Sequence, residues 1–83
     1  MPVYFFQGGS EVLKLYVDRI NKRLKIASSK TAHRFRPLPY SELFESKEEQ
    51  AELELKNDEE FDVKLKESVA KKYGYAFARK VDL

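Results

Sequence analysis

The chain has no cysteine, so it can build neither a disulfide framework nor a thiolate metal site, and its stability must come from packing alone. It also lacks any apolar run near the roughly 18 residues a membrane-spanning helix needs. The opening stretch MPVYFFQGGS has neither the basic start nor the long apolar core of a signal peptide, so a soluble, cytoplasmic chain with no membrane partner is expected. There is no tryptophan, and His33 is the sole histidine. Its neighbours in AHRFRP are cationic and offer no carboxylate to orient it, which leaves a nucleophile–histidine–acid set without a nearby acid. QGGS lacks both the GxGxxG spacing and the GK[ST] ending of a phosphate-cradling loop and reads as a turn. The carboxylates lie in solvated runs, where a raised pKa for general-acid work is not expected. These absences point to a non-enzymatic protein with no catalytic residues, no metal site and no cofactor. Asparagine, glutamine and methionine are scarce while charged residues reach 36%. That balance suits a chain adapted to high temperature and equally an ordinary charged surface.

Eighty-three residues make one domain, 1–83, with no room for a second core. The net charge of +2 conceals three blocks. Residues 1–40 hold eight cationic side chains against two acidic ones, a balance of +6; residues 41–67 hold four against eleven, or −7; residues 68–83 hold four against one, or +3. Folded onto one side, the basic blocks would make a phosphate-attracting patch with the acidic block facing away; packed against it, they would cancel.

Residues 3–6, VYFF, predict a strand closed by the glycine turn. Residues 11–27 admit two readings. As a helix capped by Ser10, they place Val12, Leu13, Tyr16, Val17, Ile20, Leu24 and Ala27 on one arc. As a hairpin, Leu13, Leu15 and Val17 face Leu24 and Ile26, but Ile20 is stranded in a turn without glycine. The helix is preferred. Residues 29–40 form a basic loop held extended by Pro37 and Pro39, and SELFESKEEQ predicts a short helix capped by Ser41. Leu53, Leu55, Phe61, Val63 and Leu65 alternate with charges around NDEE, which predicts a hairpin with one wet face. Residues 68–81 read as a helix through Val69, Tyr73, Ala76 and Phe77, or as a shorter helix ended by Gly74 and followed by a strand. The expected fold class is therefore a small α+β domain, a mostly antiparallel sheet built from an N-terminal strand plus a hairpin, with helices packed on one face.

GYAF at residues 74–77 is similar to the centre of the RNP1 motif of RNA-recognition-motif domains, and VYFF resembles their RNP2 strand. The resemblance implies that aromatic side chains on two adjacent strands stack bases. The chain departs from the pattern at Tyr73, where a basic residue is expected, and at Lys80, where the last aromatic should stand. The predicted element order also resembles a type I KH domain, although SSKT supplies no GxxG loop.

Two functional expectations follow. The first is a nucleic-acid-binding module for RNA or DNA, RNA favoured. Arg19, Lys22, Arg23, Lys25, Lys30, Arg34 and Arg36 would meet phosphates, and Phe35 and Tyr75 would stack on bases. The second is a protein-interaction or regulatory module, including a homodimer, anchored by rings such as Tyr4, Phe35, Tyr40 and Tyr75 from a set of five tyrosines and six phenylalanines.

Overall fold

The computed structural model describes residues 2–31 and 34–82. They form strands β1 (Pro2–Gly8), β2 (Glu11–Asp18), β3 (Arg23–Ser28) and β4 (Arg36–Leu38), helices α1 (Lys47–Glu54) and α2 (Asp58–Tyr73), and strand β5 (Ala76–Asp82). Short 3-10 turns cover Ser29–Thr31 and Tyr40–Leu43. The five strands make one sheet in the order β4-β3-β2-β1-β5, every neighbour antiparallel. The expected class, α+β with helices on one face of an antiparallel sheet, is the observed one. Several elements are not those expected.

Residues 11–27 are the hairpin β2–β3 rather than a helix. Leu13, Leu15, Val17 and Leu24 all point to the helix side and are buried, which a helical arc could not achieve for Leu15. The turn manages without glycine because Asp18 closes it. Its Oδ1 accepts hydrogen bonds from the backbone N–H groups of Ile20 and Asn21, its Oδ2 accepts one from the Asn21 side chain, and Lys22 takes the left-handed conformation at φ 52°. Ile20 stands exposed at the tip.

The expected hairpin over residues 51–66 is replaced by the end of α1 and most of α2. NDEE, read as a strand break, is a helix start: Asn57 accepts from the Glu60 N–H at 2.8 Å, the Glu60 carboxylate accepts from the Asn57 side chain, and three acids fill the first turn. Phe61, Leu65 and Val69 then lie four residues apart on one buried stripe, while Val63 and Leu55 face solvent. Ser46, not Ser41, caps α1. Helix α2 ends at Gly74, in the left-handed conformation at φ 72°, whose N–H donates to the Ala70 carbonyl. Of the two readings of 68–81, the shorter helix ended by Gly74 is the observed one: the chain leaves as β5 and pairs with β1, with a bulge where Phe5 and Phe6 face Arg79 and Phe77.

One face of the sheet carries the core. Tyr4 and Phe6 of β1, Leu13, Leu15 and Val17 of β2 and Leu24 of β3 join Tyr40, Leu43, Phe44, Leu53, Phe61, Leu65 and Val69 in a single buried cluster. Because side chains alternate along a strand, the intervening residues are forced onto the opposite face, against which neither helix packs.

Candidate functional site

The sheet register sets out that opposite face in rows. One row runs Arg79–Phe5–Lys14–Ala27 across β5, β1, β2 and β3. The next runs Val81–Val3–Tyr16–Lys25–Pro37, reaching β4, and Asp18 beside Arg23 closes one corner. The short residues Val3 and Ala27 are buried. Phe5, Lys14 and Tyr16 are partly exposed, and Arg23, Lys25 and Arg79 are exposed. Cations lie over both rings: the Arg79 guanidinium sits 4.5 Å and the Lys14 ammonium 5.6 Å from the centre of Phe5, and Lys25 lies 5.6 Å from that of Tyr16.

Charge is divided between the layers. Among the described carboxylates only Asp18 belongs to the open face, and it is buried and committed to its own turn. Hydrogen bonds from the Asn21 side chain and from the Asn21 and Ile20 backbone hold it below the usual carboxylate range. Glu11 lies on the helix side, and the acids of residues 41–67 belong to the helices and their connections. Lys14, Lys25 and Arg79 make no ion pair among the described residues, whereas the cations on the helix side mostly do. Lys22 pairs with Glu54 at 3.3 Å, Lys71 with Glu45 at 3.7 Å, Lys72 with Glu42 at 3.7 Å and Lys80 with Asp62 at 2.6 Å. The blocks are therefore split: Arg19, Lys22, Lys71, Lys72 and Lys80 pack against the acidic block and are offset by it, while Lys14, Lys25 and Arg79 stand on the open face.

The residues selected from the sequence divide accordingly. Arg19 is a structural clamp: Nη1 donates to Asp58 at 2.7 Å, Nη2 donates to the carbonyls of Leu53 and Lys56, and the guanidinium lies 4.2 Å over Phe61. Lys22 and Lys30 are held by Glu54 and Glu11. Arg23 and Lys25 are on the open face, Arg34 and Phe35 lie exposed just before β4, and Arg36, exposed, pairs with Ile26 in a helix-side row. Tyr75 turns the other way. Its ring packs so closely on Gly8 that a Cβ there would lie 2.1 Å from it, and its hydroxyl donates to Glu11. Phe77 is also on the helix side, edge-on to Phe6 at 5.8 Å, with Lys66 over it. The rings of the RNP1-like stretch are therefore on the helix side, partly buried against the core, and the chain order is ββββααβ. Tyr4 and Tyr40, named as interface anchors, are core residues; burial and the Asp62 carboxylate push the Tyr4 hydroxyl far above its ordinary pKa. His33 lies outside the described residues.

Phe5, Lys14, Tyr16 and Arg79 were not selected from the sequence. Lys14 and Tyr16 alternate with Leu13, Leu15 and Val17, a signal legible only under the hairpin reading of 11–27, whereas Phe5 is one of four successive apolar residues and Arg79 shares the sequence parity of Phe77, so that only the bulge brings it to the open face.

The fold and this face together define a small α+β domain with one buried, acid-backed sheet face and one open, basic, aromatic face. Comparison with family models, with curated proteins and with solved structures finds no match for this chain.

The frame of the face is acid-sensitive. Glu11 is held below the usual carboxylate range by the Tyr75 hydroxyl and then by Lys30, Asp18 by its turn, and Glu54 by Gln50 and then Lys22. A lowered folded pKa contributes stability that is complete above the unfolded value, near pH 4, and is lost as pH falls through the folded value. The melting temperature should be level from about pH 7 to 5 and decline below about pH 4. Thermal melts from pH 7 to 2.5 check this, and a flat profile would contradict it.

Proposed function

We propose that the protein is a small, non-enzymatic nucleic-acid-binding module of the cytoplasm, RNA ahead of DNA, and that it binds through the open sheet face. One observation carries the reading: the two partly exposed rings of that face each lie beneath cations that make no ion pair among the described residues, and among those residues no accessible carboxylate shares the surface. Phosphates supply the matching charge, and bases supply flat partners for the rings. Arg23 extends the positive surface along β3, and Arg34 stands exposed just before β4. Nothing is required of the chain but binding.

The test is fluorescence anisotropy with labelled RNA and DNA at about 50 and 200 mM salt. With about four phosphates neutralised, affinity should be micromolar or tighter at the lower salt and fall about 50-fold at the higher. Absence of binding at low salt would overturn the reading.

A second reading has its own observation. Ile20 and Leu55 are 91% and 89% exposed, on the β2–β3 and α1–α2 turns, which Arg19 ties together. Two bare aliphatic side chains at one end suit a protein contact, and binding there would change little with salt.

A further inference from the structure

We infer that the ligand of the open face is a single strand, laid across the β-strands, with one base on Phe5 and the next on Tyr16. The inference rests on the nucleic-acid reading above and narrows it to one kind of nucleic acid.

Register supplies the path. Phe5 faces Lys14, and Tyr16 stands two residues further along β2, so the rings are diagonal cross-strand neighbours about 7–8 Å apart. A line across the sheet from β5 meets Arg79, Phe5, Tyr16 and Lys25 in turn, a cation at each end and two rings between. Lys25 is followed by Pro37 of β4, and Phe35, just before that strand, is 44% exposed. The outer strands of a five-stranded sheet are about 19 Å apart, which suits a short stretch of about four nucleotides.

Ring exposure favours a single strand over a duplex. Phe5 and Tyr16 are only partly exposed, set between the longer Lys14, Lys25 and Arg79. Rings level with their surroundings can receive the π-face of a base brought to them. They cannot enter a stack as a wedge, which is how apolar side chains reach the bases of an intact helix. In a duplex both faces of each internal base are already stacked, so only an unpaired strand can offer one. The cations lie over the rings on long side chains, so they can swing aside to the phosphates of a backbone passing over splayed bases.

The experiment compares a labelled single strand of about eight nucleotides with the same strand annealed to its complement. The single strand should bind at least about tenfold more tightly. Phe5→Leu and Tyr16→Leu keep aliphatic bulk but remove the ring; each should weaken single-strand binding by about 5- to 50-fold with no change in salt slope. Circular dichroism checks that both variants fold. Photocrosslinking of the unaltered protein to bromouridine RNA, mapped by mass spectrometry, should mark Phe5 or Tyr16 independently of any substitution. Equal binding of duplex and single strand, leucine variants that bind normally, or crosslinks confined to other segments would overturn the inference. If Lys14→Ala with Arg79→Ala still weakened binding in those cases, the nucleic-acid reading would stand without it. Failure of both strands to bind at low salt would remove the broader reading.

Discussion

Phe61→Ala should leave the domain largely unfolded at moderate temperature. Phe61 is 1% exposed at the start of α2, edge-on to Phe44 at 6.4 Å, and it is the platform on which the Arg19 guanidinium rests. Truncating a buried phenylalanine costs about 3–5 kcal/mol. The whole domain, at about 0.05–0.15 kcal/mol per residue, has about 4–12 kcal/mol to lose. The substitution also frees Arg19, whose hydrogen bonds to the Leu53 and Lys56 carbonyls close the α1–α2 turn against the β2–β3 turn. A fall in melting temperature of about 15–30 °C is expected for a chain of this length. Leu55→Ala, a truncation at an exposed position in the same turn, is the control and should move the midpoint little. A shift below about 5 °C for Phe61→Ala would show that this stripe of α2 does not hold the helix layer to the sheet.

The second large effect concerns binding. Lys14→Glu with Arg79→Glu reverses both cations that flank Phe5, in a sheet row with a ring between the two. Both side chains stand on the open face, so the core is untouched and the melting temperature should change by no more than a few degrees. Two phosphate contacts become two repulsions, and nucleic-acid affinity at low salt should fall on the order of 100-fold, with a shallower salt slope. The matching reversal on the helix side, Lys71→Glu with Lys72→Glu, should leave affinity nearly unchanged, since those lysines already face Glu45 and Glu42. Equal losses from the two pairs would mean that net charge, not this face, governs association.

The elements that misled have a common physical cause. A separation of four residues satisfies both a helix stripe and a strand face, so Phe61 and Leu65 fit either period. Val63 broke the tie wrongly because it is apolar yet half exposed. The deciding signal was chemical: Asn57 followed three residues later by Glu60 is a reciprocal cap, and alanine, glutamate and lysine around it favour helix over strand. In 11–27 the helical arc attracted Ile20, which the structure leaves bare at a turn tip. The alternation of Leu13, Leu15 and Val17 with Val12, Lys14 and Tyr16 was the truer pattern. At the C-terminal end Gly74 marked the boundary correctly, because a left-handed residue there stops a helix.

By itself the sequence determined the absence of disulfides, the first strand and its glycine turn, the α+β class and the three charge blocks. These depend on composition and on contacts between near neighbours. Tertiary structure decided which side each block occupies and which rings remain accessible. Tyr4 and Phe5 are adjacent in the chain and equally aromatic, yet one is sealed beneath Asp62 and Lys80 while the other lies between Arg79 and Lys14. Helix docking makes that choice, because the pair of helices can cover only one face of the sheet, and the pleat then delivers every alternate residue to the other.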